Sequence, residues 1–197
     1  MKIGVIVASS NKDKKLLVYE AVCRAAESKG HKVFDFGVFE DEIFSYVEIS
    51  LVIGMLINRG IVDFVVTGCS SGQGMMLACN NLPGVICGYC PTPQDAYLFG
   101  RINNGNAVSI PLGLNFGWCG ELNLQNTLNA LFTDEFGIGY PAKDSERKQA
   151  DTAFLKNIKQ LSTITMEELL KKLPAEVVEK VEGYYLKVVG QNKNRVE

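Results

Sequence analysis

The sequence predicts a doubly wound, Rossmann-like α/β fold, in which helices cover both faces of a parallel five-stranded sheet and a helical C-terminal extension follows. Short, continuous apolar runs alternate along the first two thirds of the chain with segments that place apolar residues at helical spacing. Turn-forming residues separate the two kinds of segment, as in Leu82-Pro83-Gly84. After residue 136 this alternation ends and a charged segment of helical pattern begins.

Each predicted strand is a mostly apolar run, as is typical of a strand buried on both faces of a parallel sheet. The five runs are residues 2–8, 31–36, 61–67, 85–90 and 107–110. The segments between them have helical character, and Gly30 ends the first of them as a C-terminal glycine does. The predicted helices are residues 12–28, 46–58, 73–80, 94–102 and 119–132. Since ligands of doubly wound sheets bind at the carboxyl ends of the strands, we expect the functional site there.

A turn-rich segment, residues 137–141, separates the predicted Rossmann-like domain (1–136) from the helical extension (137–197). The extension is interrupted at Pro174 and carries many apolar residues that need a surface to cover them. Either the parent domain or a neighbouring subunit supplies that surface. These residues include Phe154, Leu155, Ile158, Leu161, Leu169, Leu170, Val177, Val178 and Tyr184.

The composition excludes several classes of protein. Hydrophobic residues make up 47% of the chain and charged residues 21%, which is typical of a folded globular protein and not of a disordered one. The formal net charge is only -2, so we expect no binding to nucleic acid, and no apolar stretch is long enough to span a membrane. The first residues lack a signal-peptide pattern, and the six cysteines lie mostly in apolar runs, as reduced thiols do. We therefore expect a cytoplasmic protein whose partner is a small molecule or another protein chain.

The most informative segment, residues 65–76, is a predicted strand that ends in a glycine-rich turn and feeds a helix. The spacing of Gly68, Gly72 and Gly74 does not fit a dinucleotide-binding loop, and the lysine of a P-loop is missing. Cys69 would face the ligand side of the sheet, and the following helix N-terminus would stabilise its thiolate, which suits a general base. A free cysteine in a tight turn is also an ordinary small apolar residue, and spacing alone leaves both readings open.

This segment resembles the type B ribose-5-phosphate isomerase and galactose-6-phosphate isomerase family, and the likeness covers roughly the first two thirds of the chain. The motif of that family is a cysteine, two small residues, glycine, any residue and glycine, then a helix that ends in asparagine and a Pro-Gly turn. The matching residues here are Cys69-Ser70-Ser71-Gly72-Gln73-Gly74, Asn80 and Pro83-Gly84. A longer branch of the family also shares the segment Ile102-Asn103-Asn104-Gly105-Asn106.

The resemblance implies an aldose–ketose isomerase that acts through an enediolate with no metal and no organic cofactor. In that mechanism the Cys69 thiolate moves a proton between neighbouring carbons, backbone amides stabilise the charge on oxygen, and Ser71 assists by binding the sugar oxygens. Asn103 would bind the sugar from the next strand end. The implied substrate contacts are Ser9, Ser10, Asn11, Ser70, Gly72, Gln73, Gly74, Asn103 and Arg147. Family members are dimers or tetramers, so we expect a homodimer or homotetramer with shared active sites.

Three departures from the family pattern bear on the substrate. Ser9-Ser10-Asn11 stands where most members carry Asp-His, and Ile102 replaces a histidine thought to help open the sugar ring. No arginine occurs between Arg101 and Arg147, where the family places a phosphate anchor. The substrate is therefore either a pentose or hexose phosphate or, as in some members of the longer branch, a non-phosphorylated sugar acid such as an unsaturated uronate. The alternative is a catalytically inactive sugar-binding or regulatory protein on the same fold.

Two further features are predicted to be structural. The pair Cys87 and Cys90 has the spacing of a zinc or thioredoxin motif, but no second pair and no nearby histidine completes four metal ligands. His31 is the single histidine of the chain and falls at the start of a predicted strand.

Overall fold

A computed structural model describes residues 1–39, 43–114 and 116–196, apart from the side chains of residues 193–196. Its strands are β1 (Lys2–Val5), β2 (Lys32–Asp35), β3 (Phe64–Cys69), β4 (Cys87–Tyr89) and β5 (Ala107–Pro111). They form one sheet in the order β2-β1-β3-β5-β4, and every neighbouring pair is parallel. The predicted doubly wound parallel sheet is therefore confirmed.

The helices of the described residues follow the predicted order. They are α1 (Lys15–Ala26), α2 (Tyr46–Asn58), α3 (Gln73–Asn80), α4 (Pro93–Leu98), α5 (Gly120–Leu131), α6 (Ser145–Ser162), α7 (Met166–Leu170) and α8 (Ala175–Val196). The bounds of α2 and α3 are those that the sequence predicts. Helix α1 begins later than predicted, because Ser9–Lys14 form a 3-10 helix with a kink at Asn11. Helix α4 runs into a π-helical turn, Phe99–Asn103.

The sheet separates two hydrophobic cores, and alternate residues of its central strand contribute to each. Val65 belongs to one core and Val66 to the other. Helices α2, α3, α7 and α8 cover the first core, whereas α1, α4 and α5 cover the second. Full burial of each such side chain contributes about 1.5–3 kcal/mol to folding. This two-sided packing explains why the strands are mostly apolar.

The extension divides into a covered and an uncovered part. Helix α8 packs against α2 and β2, with Val181, Tyr184 and Val188 buried in the first core. The parent domain therefore supplies the surface for this part. Four apolar side chains of α6 remain exposed: Phe154 by 65%, Leu155 by 46%, Ile158 by 49% and Leu161 by 78%. We call these four residues the α6 stripe.

Arg59, which directly follows α2, joins the extension to the domain. Its Nε lies 3.0 Å from Glu167 on α7, its Nη2 lies 3.0 Å from Glu182 on α8, and its guanidinium stacks 4.7 Å from the Tyr185 ring. The hydrogen bond from Arg59 lowers the pKa of Glu167, although partial burial opposes the shift. Because both carboxylates are largely exposed, these ion pairs fix geometry more than they add stability.

The carboxyl ends of β1, β3 and β5 lie side by side at one edge of the sheet. The chain after β1 stays attached to β3, since the amide of Ala8 donates to the carbonyl of Gly68 at 3.0 Å. None of the helices in the described part of the chain is long and apolar enough to cross a bilayer.

Candidate active site

Cys69 is the last residue of β3, the strand at the centre of the sheet, and its side chain is buried at 7% exposure. It pairs with Pro111 of β5. The carbonyl of Cys69 accepts hydrogen bonds from the amides of Gly72 at 3.2 Å and Leu112 at 3.0 Å. The turn after the strand is thus held to the neighbouring strand, and the thiol has a fixed position at the carboxyl edge.

The turn needs glycine at position 72. Gly72 has φ of +75°, and a Cβ there would lie 2.8 Å from the Tyr89 ring and 2.9 Å from the nitrogen of Pro111. Its carbonyl accepts a 2.6 Å hydrogen bond from the buried hydroxyl of Ser109. Any side chain at this position would combine a left-handed backbone with steric overlap, so the sequence predicts the tight turn that the structure contains.

The turn delivers the chain directly into α3, and Ser71 stands between the two. Ser71 Oγ accepts a hydrogen bond from the amide of Gln73 at 3.3 Å, in the first turn of the helix. Amides in the first turn of a helix have no acceptor within the helix, and its N-terminus carries a partial positive charge. Within Ser70–Gly74, the amide of Gly72 already bonds the Cys69 carbonyl and that of Gln73 bonds Ser71, so Ser70, Ser71 and Gly74 carry the candidate N–H donors for a developing oxyanion beside Cys69.

The segment after β1 meets this turn. Asn11 is 4% exposed, and its Oδ1 accepts hydrogen bonds from Ser70 Oγ and from Ser10 Oγ, each at 3.2 Å. Ser9 Oγ accepts a 2.7 Å hydrogen bond from the amide of Phe44, in the loop after β2. The structure thus brings the predicted residues of two strand ends together: Ser9, Ser10 and Asn11 from β1, and Cys69 to Gly74 from β3.

Two residues that sequence reasoning did not assign to the site lie at the same edge. A Cβ on Gly74 would be 3.4 Å from the ring of Tyr46, which begins α2 and is 44% exposed. Lys14 Nζ lies 5.4 Å from the centroid of the Phe116 ring, in the segment after β5 that is bonded to the carbonyl of Ser70 through Gly113. The signal for Tyr46 is its position, since it directly follows the helix cap Ser45 at the end of a βα loop.

The structure corrects the expected position of Asn103. We expected Asn103 to face Cys69 from the next strand end, but Asn103 precedes β5, whereas Cys69 is paired with the last residue of β5, Pro111. The strand from Ala107 to Pro111 alone spans about 13 Å. Asn103 therefore lies at the amino edge of the sheet, and the expectation is wrong for residues of one chain.

Arg147 lies at the same edge of the sheet as Asn103. It is exposed near the start of α6 and pairs with Asp151 at 3.0 Å, while Thr152 Oγ1 of that helix donates to the carbonyl of Ile102 at 2.6 Å. A cavity of about 640 Å³ opens at this amino edge, and a cleft of about 430 Å³ includes both Asn103 and Leu155 of the α6 stripe. The predicted site residues are thus divided between opposite ends of the sheet.

The remaining ionisable candidates do not form a second reactive centre. Burial, and then the charge of Asp95, raises the pKa of the Cys90 thiol to about 12. A hydrogen bond with Cys79, together with burial, raises the pKa of Cys87 well above its usual value. No group of three potential ligands in the described residues could hold a metal ion. His31 lies at the amino edge, where its ring contacts Phe132 at 5.9 Å between centroids.

Comparison with known proteins identifies the family of this chain. Residues 5–147 match the model of the Ribose/Galactose Isomerase family. A 4-deoxy-L-threo-5-hexosulose-uronate ketol-isomerase, crystallised with a tartrate, is 35% identical, with a TM-score of 0.89 over 100% of this chain and 99% of that one. A ribose-5-phosphate isomerase from Vibrio parahaemolyticus is 37% identical, with a TM-score of 0.90 over 97% and 92% of the two chains. A search of curated proteins gave no significant match.

More distant structures share the fold. The type B ribose-5-phosphate isomerase from Clostridium thermocellum is 20% identical, with a TM-score of 0.66, and it covers 83% of this chain with its full length. Two sugar isomerases, 35% and 37% identical, match 100% and 97% of this chain. On this similarity the chain is an aldose–ketose isomerase. The chain belongs to the Ribose/Galactose Isomerase family.

Proposed function

We propose that this enzyme interconverts an open-chain sugar acid and its ketose isomer, with Cys69 as the base. The observation that carries the proposal is the position of Cys69, at the carboxyl end of the central strand and beside the N-terminus of α3. The amides of a helix N-terminus stabilise nearby negative charge, including that of a developing oxyanion.

The proposed reaction moves two protons within the sugar and does not change its composition. The Cys69 thiolate removes the proton from the hydroxyl-bearing carbon next to the aldehyde, and the electron pair of that C–H bond forms an enediolate. The amides of Ser70, Ser71 and Gly74 stabilise its negative oxygen, and the Ser71 hydroxyl hydrogen-bonds the neighbouring oxygen. The Cys69 thiol then returns the proton to the former aldehyde carbon, while the hydroxyl proton passes from one oxygen to the other.

The substrate class follows from what surrounds the thiol. Ser9, Ser10 and Asn11 are neutral and bring no ionisable group for opening a sugar ring, so an open-chain substrate fits them best. Arg101 is fully buried and donates to the carbonyl of Leu131 at 3.0 Å, so it is not available to a phosphate. Lys14, beside the segment after β5, pairs with Asp13 at 3.5 Å, so its partly neutralised charge suits a single carboxylate better than a dianionic phosphate.

The comparisons support the same substrate class. A ketol-isomerase of a hexosulose-uronate is similar along the full length of the chain, including the extension. The similar protein from Vibrio parahaemolyticus is described as a ribose-5-phosphate isomerase, so sugar phosphates remain the competing class. The neutral segment after β1, at the carboxyl edge, favours the sugar acid because it carries no ionisable group for opening a sugar ring.

We propose further that two copies of the chain share each site. Asn103 and Arg147 lie at the opposite end of the sheet from Cys69, so they reach a substrate at Cys69 only if they come from a second copy. The α6 stripe is exposed beside them, and Leu155 lines the same cleft as Asn103. A contiguous exposed apolar surface of this kind is typical of a protein interface. The proposed homodimer or homotetramer packs the stripe against the carboxyl edge of the partner, which brings Asn103 and Arg147 near the partner's turn.

The deciding experiment follows C–H exchange and product formation by NMR in D2O. Wild type, Cys69→Ala and the control Cys23→Ala each receive a 4-deoxy-5-hexosulose-uronate, ribose 5-phosphate and galactose 6-phosphate. Exchange with the uronate that Cys69→Ala abolishes and Cys23→Ala retains supports the proposal. Turnover by Cys69→Ala contradicts the role of the base, and turnover of a phosphate sugar alone contradicts the substrate class. Binding without exchange in wild type identifies a sugar-binding protein, which is the alternative function. The presence of Ile102 in place of a histidine favours this alternative.

A further inference from the structure

The hydroxyl and the ring of Tyr184, on α8, contact the two ends of one loop. Tyr184 is 3% exposed, and its hydroxyl donates a 2.7 Å hydrogen bond to the carbonyl of Phe36, one residue beyond β2. Its ring packs on Phe44, with 4.7 Å between the centroids. Phe36 and Phe44 flank the loop that connects β2 to α2 at the carboxyl edge of the sheet, so one buried side chain joins both ends of that loop.

The far end of this loop contacts the candidate active site at two points. The amide of Phe44 donates to Ser9 Oγ at 2.7 Å. Two residues later, the ring of Tyr46 lies beside Gly74 in the glycine-rich turn. The position of Phe44 therefore determines the orientation of the Ser9 hydroxyl and the position of the Tyr46 ring.

Other contacts of α8 hold the same segment. Lys180 Nζ contacts the carboxylate of Glu48 and lies 4.7 Å from the centroid of the Phe44 ring. Glu48 in turn caps α2, since it accepts from the amide of Ser45 at 2.7 Å. Near the other end of the loop, Asn192 Nδ2 donates to the carbonyl of Asp35 at 2.9 Å.

Position 37, beside the Tyr184 hydroxyl, requires glycine. Gly37 has φ of +96°, and a Cβ there would lie 2.1 Å from the Tyr184 hydroxyl. Any other residue at position 37 would combine a strained backbone with a clash against that oxygen. The amide of Val7, in the segment after β1, donates to the Gly37 carbonyl at 3.2 Å, so this contact also reaches the strand that leads to Ser9.

We propose that Tyr184 is a positioning residue, through which the C-terminal extension orients Ser9 and Tyr46 for the substrate. The proposal rests on the proposed function and assigns a role in it to the extension. Without the hydroxyl, Tyr184 holds Phe36 and Phe44 less firmly, so Ser9 and Tyr46 are misplaced in part of the molecules and the substrate binds only the competent fraction. Binding then weakens, whereas the chemistry at Cys69 in the bound complex is preserved.

The test compares Tyr184→Phe with the control Tyr185→Phe, which makes the same chemical change one residue along the same helix. Tyr185 is 6% exposed and its ring faces Arg59. We expect Tyr184→Phe to raise KM for the uronate about three- to tenfold, the effect of one hydrogen bond, with kcat within about twofold. Tyr185→Phe leaves KM unchanged. An unchanged KM in Tyr184→Phe, or an equal rise in both variants, overturns the proposal.

Hydrogen exchange of the backbone amides provides a readout that does not depend on the substrate. We expect faster exchange in Tyr184→Phe at the amides of Phe44 and Val7, with the strands β3 and β5 unchanged. Faster exchange throughout the sheet indicates general destabilisation and overturns the proposal, as does unchanged exchange at Phe44. If wild type turns over no uronate, the proposed function fails, but the exchange data still show whether Tyr184 holds the loop.

Discussion

Ser70 Oγ donates to Oδ1 of Asn11 at 3.2 Å, and this contact joins the segment after β1 to the turn that carries Cys69. Asn11 is buried at 4% exposure and also accepts from Ser10 Oγ at 3.2 Å. Two neighbouring strand ends are thus connected through one carboxamide oxygen. The family pattern has an ionisable pair in this region, whereas this chain uses a neutral hydrogen-bond acceptor.

Replacing Asn11 should therefore impair the site more than the fold. In Asn11→Ala the Ser70 hydroxyl loses its acceptor, and we expect the free energy of unfolding to fall by about 1–2 kcal/mol. We expect kcat/KM to fall about 10- to 100-fold, because the turn beside Cys69 loses its support. Ser10→Ala removes an exposed donor to the same oxygen and serves as the control, with less than a threefold effect expected. Urea unfolding and steady-state kinetics measure both; equal losses in the two variants would contradict the special role of Asn11.

Gly72→Ala tests the glycine-rich turn. The added Cβ meets the Tyr89 ring at 2.8 Å and the nitrogen of Pro111 at 2.9 Å, on a backbone with φ of +75°. We expect a loss of about 1–3 kcal/mol in unfolding free energy and no measurable turnover. Gly117→Ala is the matched control, since a Cβ at Gly117 meets no atom within 4 Å. Thermal unfolding and the D2O exchange assay distinguish the two, and an active Gly72→Ala variant would show that the turn tolerates a side chain.

The shared site can be tested by mixing two inactive variants. Cys69→Ala lacks the base and Asn103→Ala lacks the proposed contact at the other end of the sheet. If each site combines Cys69 of one copy with Asn103 of another, about half of the dimers in a refolded equal mixture are mixed, and each mixed dimer has one intact site. Activity then recovers to about one quarter of wild type. If Asn103 acts within its own chain, or not at all, no such recovery is expected.

The α6 stripe gives an independent test of the same assembly. Ile158→Glu places a charge in the middle of the stripe, so we expect sedimentation to show monomers and turnover to be lost. Ala153→Glu adds the same side chain to an exposed position of the same helix and should leave both unchanged. A fully assembled and active Ile158→Glu enzyme would exclude the stripe as the interface.

The sequence predicts most of the fold because its signals are local. The bounds of α2 and α3 follow from spacing and from adjacent turns, and the parallel sheet follows from mostly apolar strands. The position of Asn103 follows from the same local signals, because a residue shortly before a parallel strand lies at the amino edge, and the expectation wrongly gives the motif similarity more weight than the strand order. The contact of Tyr46 with Gly74, by contrast, is non-local and could not be predicted in this way. The division at residue 136 and the roles of the predicted site residues stay predictions.

The extension shows the same limit. Val177 and Phe154 are both apolar residues at helical spacing within the extension. Val177 nevertheless packs on the first core, whereas Phe154 is 65% exposed. Spacing predicts that both residues need a cover, but only the packing of the helices shows which surface provides it. Among the described residues of the extension, the α6 stripe stays exposed, and so do Ile164 at 40% and Leu186 at 68%.

His31 gives a prediction about stability and pH. Partial burial, and then the charge of the Met1 amino group 3.2 Å from Nδ1, lowers the pKa of His31 in the folded protein. The unfolded chain, with an ordinary histidine pKa near 6.5, therefore binds a proton at a higher pH than the folded protein does. Between these two pKa values the unfolded state is favoured as the pH falls, so the free energy of unfolding decreases from about pH 6.5 downward.

His31→Gln removes this titration and retains a polar side chain beside the Met1 amino group. We expect its unfolding free energy to vary less with pH than that of wild type in the range where His31 titrates, which begins at about pH 6.5. Below that range both proteins should lose stability in parallel, because burial is outweighed at Glu48 by hydrogen bonds from Lys180 and Ser45 that lower its pKa, and this carboxylate is present in both. Urea unfolding across the pH range measures the difference. Identical profiles would show that His31 titrates alike in the folded and unfolded states.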